Sequence, residues 1–82
     1  MAYELTEHAR DALEKRNIEL AWVERVIDAP EAAEPDPVDA DLEHRLARIA
    51  EGGNRVLRVI VNRKTIPPRI VTAFFDRRRT IP

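Results

Sequence analysis

The chain has 82 residues, of which 44% are hydrophobic, 35% are charged and 5% are aromatic, so it forms one small domain with a mainly aliphatic core. This composition excludes collagen-like and disordered chains, and the lack of cysteine excludes disulfides, thiolate metal sites and a cysteine nucleophile. The net charge of -1 combines two opposite halves, since residues 1–41 carry twelve acidic and four basic side chains and residues 42–82 carry three and ten. Such a split predicts that the halves dock on each other or that the basic half binds an anion.

The first predicted element is an amphipathic helix over about residues 6–16. Thr6 has the side chain of an N-cap, and the apolar residues that follow it recur at helical spacing. Arg16 projects onto the middle of this apolar stripe, and His8 lies at its edge. Because arginine is rarely buried without a partner, Arg16 is expected to pair with a carboxylate or to bind an anion.

A second helix is predicted over about residues 19–28, with Trp22 and Val26 on its apolar face and Pro30 at its end. Residues 30–41 then contain three prolines and five acidic side chains. This composition cannot continue a helix or a central strand. We therefore expect an acidic, extended loop between the two halves of the chain.

The second half has the residue alternation of β-strands. Strands are predicted over about residues 42–50, 55–62 and 69–77, although the pattern of residues 42–50 also fits a helix. A Gly52-Gly53-Asn54 turn separates the first two, and a turn with a Pro67-Pro68 pair separates the last two. The side chains expected in the core of the sheet are Leu57, Val59, Val61, Val71 and Phe75. The simplest layered solution is a single α+β domain over residues 1–82, with two N-terminal helices packed on a three-stranded antiparallel meander.

Four different short motifs are spread over nearly the whole chain: Tyr3-x-x-Thr6-x-His8-Ala9, Trp22-Val23-x-x-Val26, Glu43-His44-Arg45 and Val71-Thr72-x-Phe74-Phe75-Asp76-Arg77-Arg78. Together they resemble a widespread bacterial domain of unknown function, whose members are small stand-alone proteins placed near the BrnT and RelE type toxins. The resemblance implies a compact antiparallel sheet with helices. It also implies a metal-independent endoribonuclease or RNA-binding toxin, with RNA or the ribosome and a co-encoded antitoxin-like protein as partners.

Four side chains are candidates for catalysis: His8, Arg16, Arg45 and Arg77. His8 would accept the 2′-hydroxyl proton, because imidazole is the side chain suited to proton transfer near neutral pH. Arg16 would clamp a phosphate, while Arg45 and Arg77 would face the same groove and stabilise the transition-state charge. The candidates for nucleic-acid binding are Arg58, Arg69, Arg78 and Arg79. Ordinary structural ion pairing is the alternative for each of these arginines.

Three functions remain open on the sequence. The leading one is the RNA-directed toxin, the second is a non-catalytic protein-interaction module, and the third is a DNA-contacting accessory protein. Because no zinc spacing, Gly-rich phosphate loop or Ser-His-Asp signature is present, we expect no metal and no cofactor. No apolar run approaches the ~20 residues of a membrane span, and the first residues do not form a signal peptide, so a cytoplasmic protein without membrane contact is expected.

Overall fold

The computed structural model of the protein describes residues 3–81. Its elements in chain order are β1 (Glu4–Leu5), α1 (Glu7–Lys15), α2 (Leu20–Asp28), β2 (Ala32–Pro35), β3 (Leu42–Ile49), β4 (Arg55–Asn62) and β5 (Arg69–Phe75). A single 3-10 turn, Ala50–Gly52, connects β3 to β4. The architecture is α+β, with the two helices packed on a five-stranded mixed sheet of strand order β1-β5-β4-β3-β2.

The predicted three-stranded antiparallel meander is wrong. The three long strands are antiparallel neighbours, but a short strand extends the sheet at each edge. On one side β2 pairs with β3 in antiparallel register, and on the other β1 pairs with β5 in parallel register. Part of the Pro-rich segment therefore forms a strand, which is compatible with Pro35 because an edge strand has neighbours on one side only. The two residues of β1 are too few for any alternation to be visible in the sequence.

Both helices begin and end for local reasons. The Thr6 hydroxyl accepts the first helical hydrogen bond of α1 from the Ala9 amide at 3.1 Å. Asn17 ends α1 in the left-handed conformation, with φ of 53°, and the next amide, Ile18 N–H, donates back to the Leu13 carbonyl at 2.9 Å. The α2 helix has no side-chain N-cap and is held by its apolar face, where Val23 and Val26 are fully buried.

The core lies between the helices and one face of the sheet. Leu57, Val59 and Val61 are buried there as predicted, and Phe75 packs against the cluster. The prediction that Val71 belongs to the core is wrong, because the register of β4 with β5 shifts at Ile60/Val61. This irregularity places Ile70 in the core and leaves Val71 half-buried, since a slip of one residue turns a side chain to the other face.

The opposite side of the sheet, called the outer face below, carries the charged side chains of the central strands. It is the side on which Glu34, His44 and Arg58 lie. Residues 76–81, called the C-terminal segment, follow β5 and return across this face, because Arg79 reaches Glu34 on β2 at the far edge of the sheet. Within residues 3–81, no helix has the length and apolarity required to cross a membrane.

Candidate functional site

Arg58 is the centre of a polar network on the outer face. Its side chain is only 12% exposed. Nε and Nη2 donate to the same carboxylate oxygen of Asp76, at 3.0 and 2.7 Å. Nη1 donates to Glu34 at 3.1 Å and lies 2.8 Å from Nδ1 of His44. The guanidinium thus joins β2, β3, β4 and the C-terminal segment through a single side chain.

The hydrogen bonds of His44 indicate which ring nitrogen donates and which accepts. A guanidinium has no acceptor, so Nδ1 of His44 must accept from Arg58 and can carry no proton. The ring proton is therefore on Nε2, which donates to Asp36 Oδ1 at 2.6 Å. With both ring nitrogens engaged and a side chain 12% exposed, His44 is a structural link between Asp36 and Arg58.

The carboxylates of the network are held in their charged forms. The Arg58 guanidinium lowers the pKa of Asp76. Hydrogen bonds from Arg79 and then from Arg58 lower the pKa of Glu34. The pKa of Asp36 is lowered first by the backbone N–H of Asp39 and then by His44. All three carboxylates are therefore anions at neutral pH, and Glu34 and Asp76 offset the positive charge of Arg58.

A cavity of about 360 Å³ opens beside this network, between the turn that connects β3 to β4 and the C-terminal segment. We call it the arginine cavity, because its lining includes the four arginines Arg48, Arg55, Arg77 and Arg79. Among residues 3–81, Asp76 is the single side-chain carboxylate of the lining, and Phe75 supplies an aromatic ring. A concave surface with this excess of guanidinium groups is suited to binding an anion.

The arginines of the cavity differ in how far they are already engaged. Arg55 stacks on Phe75, with Cζ 3.8 Å from the ring centroid, and donates to the Gly52 carbonyl at 2.6 Å. Arg79 is paired with a carboxylate of β2. Arg48 and Arg77 are exposed, and their side chains make no hydrogen bond or ion pair with any residue between positions 3 and 81. These two guanidiniums can therefore receive an external ligand without breaking a hydrogen bond or ion pair to the described residues.

The four residues proposed for catalysis are not assembled in one place. His8 is exposed in the first turn of α1. Arg16 binds the edge of β5, where Nη1 donates to the Ala73 carbonyl at 2.8 Å. Arg45 lies on the helix-covered side, bonded to the Tyr3 hydroxyl and the Ile27 carbonyl, each at 3.1 Å. Arg77 lines the arginine cavity, so the expected groove shared with Arg45 and His8 is not formed. A catalytic role for these residues stays a prediction.

The four residues proposed for nucleic-acid binding are also distributed. Arg58 is largely buried and fully engaged in the network. Arg69, at the start of β5, pairs with Glu4 at 3.4 Å. Arg78 and Arg79 follow the other end of β5, where Arg79 lines the arginine cavity and Arg78 is exposed. Two of the four thus lie at the same end of the sheet as the cavity.

Sequence reasoning missed the arginine cavity and the network beside it. The alternation of His44 and Arg48 along β3 indicated a common face, but it did not reveal which face the helices cover. The charge split was the second signal, and the structure explains it: acidic residues of the first half pair with basic residues of the second. These contacts join Glu34 to Arg58 and Arg79, Asp36 to His44, and Asp41 to Lys64.

Comparison with known proteins gives one match. The model of a family described as a domain of unknown function, DUF4258, matches residues 5–75. The matched range includes Arg48, Arg55 and Arg58 and ends before Arg77. No curated protein and no solved structure matches the chain. In the part of the chain from Tyr3 to Ile81, no group of three or more His, Asp or Glu side chains is arranged to hold a metal ion.

Proposed function

Because the chain belongs to the DUF4258 family, whose description assigns no activity, we propose from the geometry of its outer face that it binds RNA through the arginine cavity. The observation that carries the proposal is the presence of two exposed guanidiniums, Arg48 and Arg77, in a concave surface to which the described part of the chain contributes a single side-chain carboxylate, that of Asp76. Arginine matches the geometry of a phosphate group, because its planar fork donates two parallel hydrogen bonds. The cavity also falls within the roughly 300–1,000 Å³ that is usual for ligand sites.

Single-stranded RNA is the form of nucleic acid that this site favours. Arg55 is stacked on Phe75, and the plane of a guanidinium is a surface on which an unpaired base can stack. A base in a duplex is already stacked on its neighbours and offers no free face to such a group. The resemblance to BrnT and RelE type toxins points the same way. It supports RNA or the ribosome as target, a co-encoded antitoxin-like partner and a cytoplasmic location.

We propose binding rather than cleavage as the primary activity. In the present arrangement His44, the histidine of the outer face, cannot accept a proton, since Nδ1 receives Arg58 and Nε2 carries the proton given to Asp36. His8 is free of these contacts but lies on α1. A protein that holds RNA without cutting it is the RNA-binding form of the leading function, and it stays distinct from the protein-interaction module.

The test is the binding of a fluorescein-labelled single-stranded RNA of about a dozen nucleotides, followed by fluorescence anisotropy at several salt concentrations. With two to three phosphate contacts the log-log slope of affinity against salt should be about -1.4 to -2.1. The double variant Arg48→Ala/Arg77→Ala should reduce the magnitude of the slope by about 1.4, because two contacts are lost. It should weaken all RNA sequences alike.

The matched control removes the same charge elsewhere. Arg10 and Lys15 are exposed on α1, outside the cavity, so Arg10→Ala/Lys15→Ala should retain the slope of the parent protein. Absence of binding at low salt would refute the proposal, as would equal loss in both double variants. Gel analysis of the same RNA after incubation tests cleavage. Strand scission that disappears in a folded His8→Ala variant would establish the catalysis predicted from the sequence.

A further inference from the structure

Glu34 lies on the outer face, where its carboxylate bridges two guanidiniums from different elements, Arg58 on β4 and Arg79 in the C-terminal segment. Both of its oxygens accept from Arg79 Nη1, at 2.9 and 3.0 Å, and Oε1 also accepts from Arg58 Nη1 at 3.1 Å. An oxyanion held between two arginines is the arrangement in which proteins bind phosphate. The side chains of Glu34 and Arg79 are 36% and 35% exposed, so this position is open to solvent, whereas Arg58 is 12% exposed.

The position occupied by Glu34 is continuous with the arginine cavity. Arg79 belongs to both, since it lines the cavity and holds the Glu34 carboxylate. Glu34 itself belongs to β2, a four-residue edge strand that pairs only with β3. Arg58 is anchored independently by Asp76, so it stays in place when Glu34 leaves.

We propose that Arg58 and Arg79 form a second phosphate subsite, next to the arginine cavity, and that Glu34 fills it as an internal phosphate mimic in the free protein. The inference rests on the proposed function, because the ligand that displaces Glu34 is the next phosphodiester of an RNA strand whose first phosphate lies in the cavity. Glu34 is then a built-in competitor of RNA. The Arg79–Glu34 contact also holds the C-terminal segment against β2. RNA binding therefore detaches the segment from β2 and leaves it joined to Arg58 through the bound phosphate.

The experiment compares Glu34→Gln with Glu43→Gln. Glu43 is a matched control, because it also bridges two arginines, Arg45 at 2.7 Å and Arg63 at 3.2 Å, and it does not line the cavity. In the anisotropy assay Glu34→Gln should bind the RNA about 3- to 5-fold more tightly at low salt, since a competing exposed ion pair is removed. Its salt slope should steepen by about 0.7, the increment for one phosphate contact on a single strand, because in the parent the phosphate displaces Glu34 and not a counterion from the subsite. Glu43→Gln should match the parent protein in both.

Two readouts without RNA separate this proposal from the one on which it rests. Hydrogen exchange of the free protein should be faster in the C-terminal segment of Glu34→Gln than in that of the parent or Glu43→Gln. Titration with inorganic phosphate, followed by the arginine Nε–H signals in NMR, should shift Arg79 at lower phosphate concentration in Glu34→Gln than in the parent.

If RNA fails to bind any variant but phosphate shifts Arg79 as described, the RNA function is refuted and the anion subsite stands. If RNA binds the parent and Glu34→Gln equally, or if phosphate leaves Arg79 unaffected in both, the subsite is refuted. An acidic peptide that shifts Arg79 where RNA and phosphate do not would likewise refute it, and would identify a protein partner for this face.

Discussion

The contact between Arg58 and Asp76 offers the most informative perturbation of the outer face. Arg58→Met removes every hydrogen bond of the guanidinium, while the unbranched side chain retains much of its apolar volume. Asp76, 16% exposed, would keep only the amide of Arg78 as a donor, at 3.0 Å. His44 would lose the partner of Nδ1. Asp76→Ala, conversely, leaves Arg58 with Glu34 and His44.

The size of the effect follows from burial. A hydrogen bond to a charged group contributes about 1.5–3 kcal/mol. The side chains of Arg58 and Asp76 are only 12% and 16% exposed, so solvent screens their contact little. We expect Arg58→Met to lower the free energy of unfolding by about 2–3 kcal/mol and Asp76→Ala by about 1–2 kcal/mol. The double variant should lose about 1–2 kcal/mol less than the sum, because the second change removes a group that has already lost its contact with the other member of the pair. A domain of this size has only about 4–12 kcal/mol in total.

The assay is urea unfolding of the parent, the two single variants and the double variant, followed by circular dichroism and by the fluorescence of Trp22, which packs against the core. The matched control is the same cycle at Arg25 and Glu51, a bidentate pair that is 48% and 52% exposed. Its coupling should be clearly smaller, because solvent screens an exposed pair. Coupling near zero at Arg58–Asp76, or coupling no larger than at the control pair, would show that the network does not hold the outer face together.

Two further predictions concern stability. Val26→Ala should lower the free energy of unfolding by about 2–3 kcal/mol, because Val26 is fully buried between α2 and the sheet. Val38→Ala, at a residue 93% exposed, should change this free energy little. Equal urea midpoints for the two variants would contradict the packing described. In the folded protein the pKa of Asp76 lies below its ordinary 3.8 and that of Glu34 below its ordinary 4.5. As the pH falls, the carboxylates of the unfolded chain therefore take up protons before those of the folded protein. The stability that these carboxylates contribute is lost progressively below pH about 4.5. Urea midpoints measured from pH 7 downward should fall in this range, and they should fall less steeply in Asp76→Ala; identical pH profiles would contradict the assignment.

Periodic and local signals could be predicted from the sequence because they depend on residues close together in the chain. The 3.6-residue repeat indicated both helices, and the caps at Thr6 and Asn17 act through neighbouring backbone groups. Alternation indicated the three long strands. The two edge strands had no such signal, since β1 is too short and β2 lies in a Pro-rich segment that is a strand only because β3 is beside it.

The side of the sheet on which each charged residue lies was decided by tertiary structure. Arg45 and Arg58 both come from strands with clear alternation, yet Arg45 is on the helix-covered side and Arg58 is the centre of the outer face. The network joins Glu34, His44 and Asp76 to Arg58 through strand pairing and the return of the C-terminal segment. The sequence by itself determined the α+β class, the helices and the opposite charge of the two halves. Only the packing of the helices and the register of the strands determined which opposite charges meet, because those contacts join residues that are distant in the chain and close in space.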